Sequence, residues 1–268
     1  MIDRPALLEA LDENMAVHAG WIQRRVPGMT VRDDLGFVLV DSGLATDTFN
    51  LVCRTRLDPA DAEARSAEGI DWFRSRGRPF SWWVSPADTP AGLGSTLARL
   101  GLEVAESETV MLADIARILP GPLPDKLDVR RAETPAQLRE FAAINAANWS
   151  PPDEDVLHFY ETAAPELLGG ESPLRFFVAY LQGVAVAAAE VTIAAGIAGI
   201  YNVSTLEYWR GRGYAGALLR HMLVGARMEG ALHAGLQAAP GAVAVYQRLG
   251  FESVGEVTEY KPPRAPLS

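Results

Sequence analysis

Leu7, Leu8, Leu11, Met15 and Ile22 recur near helical spacing and predict an amphipathic helix over Ala6 to Arg25. The pattern then changes. Phe37 to Asp41 and Phe49 to Arg54 have the β-branched and aromatic make-up of strands, and Ala60 to Arg76 returns to a helical period that stops before Gly77. Phe80 to Val84 predicts another strand, Thr89-Pro90 opens a helix that ends near Leu100-Gly101, and Glu108 to Asp114 closes this half as a strand. The next segment, Pro120-Gly121-Pro122-Leu123-Pro124-Asp125, can continue neither a helix nor a central strand. It divides the chain into a first domain over 1–118, a linker over 119–126 and a second domain over 127–268.

Beyond the linker the pattern predicts a strand at Asp128 to Arg131, helices at Pro135 to Trp149 and Asp153 to Leu168, and strands at Arg175 to Leu181, Val184 to Ala194 and Ile197 to Val203. Helix Ala215 to Glu229, strand Leu232 to Ala238, helix Gly241 to Leu249 and strand Phe251 to Tyr260 complete it. Mixed strands with helices between them predict an α/β fold, a sheet covered by helices. The two halves follow a similar order of elements, as distant copies of one plan would.

Composition narrows the class. With 49% apolar and 22% charged residues the chain is that of an ordinary folded protein, and its net charge of -10 argues against a nucleic-acid backbone as partner. The one cysteine, Cys53, excludes an intrachain disulfide and fits a reducing, cytoplasmic setting. Met1-Ile2-Asp3-Arg4-Pro5 shows no basic stretch followed by an apolar run, so no secretory signal is expected there. The most apolar stretch, Val184 to Val203, contains Glu190, Gly196, Gly199 and Asn202 and reads as two strands and a turn, so no membrane partner is expected. His18, His158, His221 and His233 show no close pairing, and no metal site is expected.

Chemistry concentrates in Arg210-Gly211-Arg212-Gly213-Tyr214-Ala215, between an apolar strand and a helix with Leu218, Leu219, Met222 and Leu223 on its apolar side. Gly211 and Gly213 let the backbone turn its N–H groups toward an anion, the helix dipole adds to the attraction, and Arg210 and Arg212 can contact phosphate oxygens. As a string, Gly211 to Gly216 also satisfies the dinucleotide fingerprint G-x-G-x-x-G. Its context is wrong for that. Several strands precede it, Thr205 to Trp209 intervenes, and the next strand ends in Gln237-Ala238-Ala239 where a ribose-binding carboxylate belongs. No Lys-Ser or Lys-Thr follows the glycines, which excludes a Walker A loop.

On these residues the chain resembles the GCN5-related N-acetyltransferases (GNAT), whose pyrophosphate loop follows Gln/Arg-x-x-Gly-x-Gly/Ala, matched by Arg210, Gly213 and Ala215. Asn202 to Tyr208 resembles the family's fourth strand and the approach to its loop, and Tyr246-Gln247-Arg248-Leu249-Gly250-Phe251 its Tyr-x-x-x-Gly-Phe signature. The resemblance covers residues 127 to 262. The first half resembles the family in element order and in Gly101-Leu102 before a closing strand, but Arg54 to Pro59 stands where its loop belongs, with no glycine. The resemblance implies two tandem GNAT-like domains, each a mixed, mainly antiparallel sheet flanked by helices, the first degenerate and not binding acyl-CoA.

The resemblance implies acetyl-CoA as acyl donor and direct attack on its thioester by an amine. It places the pantetheine arm in a splayed gap between Ile197 to Val203 and Leu232 to Ala238, with the Val203 N–H polarising the thioester carbonyl and Ser204 and Thr205 continuing the wall. Arg210, Gly211, Arg212, Gly213, Tyr214 and Ala215 would hold the pyrophosphate. Tyr246 stands where the family places a tyrosine near the sulfur, and is the candidate general acid for the leaving thiolate, against a core aromatic packing beneath the helix. Glu190, mid-strand among Ala and Val, is the candidate base, against a solvent-facing or arginine-paired carboxylate. Trp149, Tyr201 and Asn202 are candidates for contact with the acceptor.

Trp82-Trp83 and Trp209 read as packing, Cys53 as buried, and Asp33-Asp34, Glu106 and Glu108 as solvated loop or strand-edge charges. The acceptor class is a small-molecule or peptide amine, and the oligomeric state is open. Two other functions fit parts of the chain: an acyl-CoA or ligand sensor without catalysis, and a nicotinamide oxidoreductase that rests on the glycine string alone.

Overall fold

The Asp3 carboxylate accepts the Ala6 N–H (3.4 Å), and a proline stands in the first turn, so helix α1 (Arg4–Gly20) begins as a capped helix. The computed structural model describes residues 3–263; Met1 and Ile2 of the N-terminal stretch, and residues 264–268, lie outside it. By packing, the chain divides into unit 1, Met1–Thr109 with Gly255–Ser268, and unit 2, Val110–Val254. The Pro-rich segment at 120–125 lies inside unit 2, and the chain from Gly255 onward belongs to unit 1.

Unit 1 continues with β1 (Thr30–Arg32), β2 (Val38–Asp41), β3 (Leu51–Cys53), α2 (Ala62–Arg74), β4 (Ser81–Val84), α3 (Leu93–Arg99) and the first part of β5 (Glu103–Asp114). Its sheet has the order β1-β2-β3-β4-β11, where β11 is Glu252–Lys261. Neighbours are antiparallel except β3 and β4, which run parallel. The core stacks Phe73 on Phe80 (4.6 Å between centroids) and sets Phe37 edge-on to Trp82 (4.8 Å). Trp82 is fully buried and Trp83 half-buried, as alternation along a strand requires, and Cys53 is buried.

Several elements differ from the pattern's prediction, among them α3, which begins at Leu93 rather than at Thr89-Pro90, and the helix from Pro135, which ends at Ala146 rather than Trp149. Helix α1 stops at Gly20 rather than Arg25; the turns that follow keep single helix-like bonds, Arg24 N–H to the Gly20 carbonyl (3.2 Å) and Val26 N–H to the Ile22 carbonyl (3.0 Å), and Arg25 folds back over the Trp21 ring (3.8 Å). The short strand β1 carries too few apolar positions to show a period. Strand β5 starts at Glu103, and Glu108 on it is not a solvated charge: burial, then Glu106 and Glu259, pushes its carboxyl up to about 7.

Unit 2 contains β6 (Leu127–Arg131), α4 (Pro135–Ala146), α5 (Glu154–Leu167), β7 (Leu174–Leu181), β8 (Val184–Ala194), β9 (Ile197–Thr205), α6 (Tyr214–Met228), β10 (His233–Ala238) and α7 (Val243–Gln247). The sheet order is β10-β9-β8-β7-β6, antiparallel from β6 to β9 and parallel between β9 and β10. Thr134 and Gln137 form a reciprocal capping box that starts α4, and Asp153 caps α5. Both helices therefore begin where the sequence supplies their caps.

Adjacent residues of β7 show how the sheet is covered on both faces. Phe177 joins the core that receives Leu218, Leu219, Met222 and Leu223 of α6, while Phe176 turns the other way onto Phe141 of α4 and Tyr160 of α5. Truncating any one of those α6 side chains to alanine would cost about 2–5 kcal/mol. The result is a mixed α/β fold whose sheet is flanked by helices, as the pattern predicted.

Candidate functional site

The site begins where two strands part. Parallel pairing of β9 with β10 runs from Ile197–His233 to Ile200–Leu236, while β9 itself continues to Thr205. On the other edge of β9 the register with β8 shifts between Ala188 and Glu190, and Asn202 takes a left-handed φ of 53°, a conformation asparagine tolerates better than most residues. The extra residue bends β9 and leaves 201–205 free of β10.

After β9 a short turn at Glu207–Trp209 leads to Gly211 (φ 76°) and Gly213 (φ 80°). A Cβ at either glycine would meet nothing within 4 Å, so it is the left-handed backbone, not crowding, that calls for glycine. Gly213 starts α6 with no side-chain cap, so the first turn of α6 keeps its amide donors for another acceptor. Gly213 to Gly216 line a cavity of about 1130 Å³ within unit 2.

Opposite this turn the cavity is walled by Val203, Ser204 and Thr205 of β9, and at its side by Tyr246 of α7. Arg210, Arg220 and Arg248 supply its charge, and Arg210 is braced by its Nε donating to the Thr205 carbonyl (2.9 Å). Arg212 is turned elsewhere. Its guanidinium stacks over Trp209 (4.9 Å) and Tyr208 (5.0 Å) and donates to the Tyr208 carbonyl. Trp209 both packs against the core and lines the cavity, a position richer than the packing role its sequence suggested. Tyr246 is buried, with its ring 6.0 Å from Phe251.

Asn148, Arg220 and Arg248 also line the cavity, though the sequence did not single them out. Arg220 had a signal: it lies about two helical turns after Gly213, on the same face of α6. Asn148 had none, because it follows α4 and reaches the cavity only through tertiary structure. Its Nδ2 donates to Ser204 Oγ (2.7 Å), and Ser204 Oγ donates to Asn145 Oδ1 (3.0 Å).

Glu190 is fully buried and lies outside the cavity lining. Thr192 Oγ1 donates to its Oε1 (3.2 Å), and Asn202 Nδ2 donates to its Oε2 (3.0 Å) and to Tyr160 Oη (3.2 Å). Burial, then the charge of Glu190, holds the Tyr160 hydroxyl well above its ordinary pKa, so it stays protonated. Tyr201 stands opposite Glu190 in the ladder, half-buried, and Trp149 is exposed beside Asn148. Thus Glu190 and Asn202 come together, but apart from Tyr246, while Trp149 and Tyr201 are not among the cavity's lining residues.

Residues 172–253 match the family model of an acetyltransferase (GNAT) domain. The matched residues all lie within unit 2. Across the whole chain the fold is similar to a GCN5-related N-acetyltransferase from Kribbella flavida, with TM-score 0.74 and 19% identity, covering 96% of this chain and 97% of that one. It is similar as well to a tandem GNAT protein from the clavulanic acid biosynthesis pathway (TM-score 0.63, 14% identity, 96% and 95% covered). A GCN5-related N-acetyltransferase from Sphaerobacter thermophilus gives TM-score 0.60 at 17% identity, with 100% and 99% covered. No curated protein matches the chain. Among the described residues no helix is long and apolar enough to cross a membrane, and no group of three or more His, Cys, Asp or Glu side chains could hold a metal ion.

Proposed function

We propose that unit 2 is an N-acetyltransferase, which takes the acetyl group of acetyl-CoA and passes it to a primary amine of a small molecule or peptide. One observation carries this reading. The uncapped start of α6, the arginines at 210, 220 and 248 and the parted end of β9 line a single cavity that also holds Tyr246. Amide donors and arginines suit a pyrophosphate, and the unpaired end of β9 in the cavity wall suits a thioester arm.

In the reaction the amine nitrogen attacks the thioester carbonyl and the carbon–sulfur bond breaks. The Val203 N–H, freed from β10, stabilises the negative charge that gathers on the carbonyl oxygen. Tyr246 gives its hydroxyl proton to the departing thiolate and regains one, through solvent, from the nitrogen of the new amide. Glu190, with no exposed surface, acts through Asn202: it holds the Asn202 amide, and with it the bend of β9 that presents Val203. The ammonium proton leaves to water, and Asn202, Tyr201 and Trp149 face the acceptor.

Among the described residues of unit 1, Arg54 to Pro59 stand where the loop belongs and include no glycine. There Arg56 is held by Glu9 (2.6 Å), Asp12 (2.7 Å) and Asp88 (2.8 Å), which closes this position with charge pairs, and unit 1 does not bind acyl-CoA in this reading. The buried thiol of Cys53 fits a reducing cytoplasm.

The test is release of free thiol from acetyl-CoA in the presence of a panel of primary amines. Amine-dependent release supports the assignment; acetyl-CoA binding without release to any amine would favour a sensor instead.

A further inference from the structure

The chain of hydrogen bonds from Asn145 through Ser204 to Asn148 decides which end of an amide is offered to the cavity. Asn145 is buried, and its Nδ2 donates to the Phe141 carbonyl (3.0 Å), which turns its Oδ1 toward Ser204. A serine hydroxyl has one proton, and here it goes to Asn145 Oδ1 at 3.0 Å. Ser204 can then only accept from its other neighbour, and it accepts from Asn148 Nδ2 at 2.7 Å. Asn148 lines the cavity, and with its Nδ2 held by Ser204, its Oδ1 is the end of the amide left to accept a donor.

We propose that Asn148 Oδ1 binds an amide N–H of the pantetheine arm of acyl-CoA, with Asn145 and Ser204 as positioning residues. The proposal rests on the acyl-CoA reading of the cavity and adds a binding residue to it. Two observations select this donor over the ammonium of an acceptor. The residues that line the cavity include arginines but no carboxylate, so a cation there would be repelled, whereas a neutral N–H would not. Ser204 also lies on β9 beyond the last pair with β10, between Val203 at the reacting end and the glycine turn at the phosphate end. An arm that joins those ends passes Asn148, and the uncharged donors it carries are its amides and, nearer the phosphate end, the pantoyl hydroxyl; the amides are the donors that lie toward the reacting end.

The adenine amino group of the same ligand is also a neutral donor, and the test separates the two. Binding of acetyl-CoA and of adenosine 3′,5′-diphosphate, which lacks the pantetheine arm, is measured by calorimetry on the full chain and on Asn148→Leu and Ser204→Ala. Asn148 is exposed, so its substitution leaves the fold intact. Asn148→Leu should raise the Kd for acetyl-CoA about 3- to 10-fold, with Ser204→Ala in the same direction and smaller. The Kd for adenosine 3′,5′-diphosphate should stay within about twofold. An unchanged Kd for acetyl-CoA in Asn148→Leu overturns the proposal, and so does an equal loss for both ligands. Failure of the unsubstituted protein to bind acetyl-CoA defeats the underlying reading instead.

Discussion

Asn202 Nδ2 lies 3.0 Å from Glu190 Oε2 and 3.2 Å from Tyr160 Oη, so one amide group satisfies a buried carboxylate and a buried phenol together. The same residue carries the left-handed backbone that bends β9 before Val203. A hydrogen-bonding role and a conformational role thus coincide at one position, and substitutions can separate them.

Asn202→Gly keeps the backbone free to adopt φ near 53° but removes the amide, whereas Asn202→Ala loses both. Losing the hydrogen bonds should cost about 1–3 kcal/mol, and alanine should cost about 1 kcal/mol more than glycine. Urea denaturation of both variants checks this; equal losses would show that the left-handed conformation carries no strain for alanine.

Tyr246 borders the cavity without being among the groups that suit phosphate. Tyr246→Phe should leave the Kd for acetyl-CoA within about twofold and lower kcat by about 100-fold or more, as removal of a general acid does. A rise in Kd with kcat unchanged would make the tyrosine a packing residue.

Arg220→Gln and Arg248→Gln should each weaken acetyl-CoA about 10-fold and reduce the salt dependence of binding, since each removes a charge-assisted contact. Titrations at low and high salt test it. Arg212→Gln should change affinity less, because its guanidinium is engaged with Tyr208 and Trp209.

Glu108 gives a pH prediction for unit 1. Its carboxyl is raised from 4.5 to about 7, so between those values the folded chain holds a proton that the unfolded chain has released. Its contribution is complete below pH 4.5 and is lost as pH rises through about 7. Glu108→Gln should therefore stabilise the protein at pH 8 by about 1–2 kcal/mol more than at pH 4.5, measured by denaturation at both values. Equal effects at the two values would mean that Glu108 titrates normally.

Much of this fold could be read from the chain because local signals agreed with the packing. The Thr134 capping box, the period of α6 and the glycines at 211 and 213 each belong to one short segment. The turn and Tyr246 were legible for the same reason, each being part of a contiguous motif. Arg248 lies within the same motif as Tyr246 but at a position the motif leaves unspecified, whereas Asn148 follows α4 and reaches the cavity only through tertiary structure. Glu190 stood out as a charge in an apolar strand, but its partners Thr192, Asn202 and Tyr160 come from three elements, and only the fold shows that it is sealed from solvent. Glu108 is a similar case: the pattern shows a charge, while the crowding by Glu259 arises from a strand at the far end of the chain.

The most direct test is calorimetric titration of the full chain with acetyl-CoA, repeated on Gly213→Val. A valine at φ 80° must distort the start of α6, although its Cβ has open space. Binding of one acetyl-CoA per chain, abolished in Gly213→Val while the variant remains folded, is the predicted result. No binding to the folded unsubstituted chain, or binding that survives Gly213→Val unchanged, would contradict the assignment of the α6 turn as the acyl-CoA site.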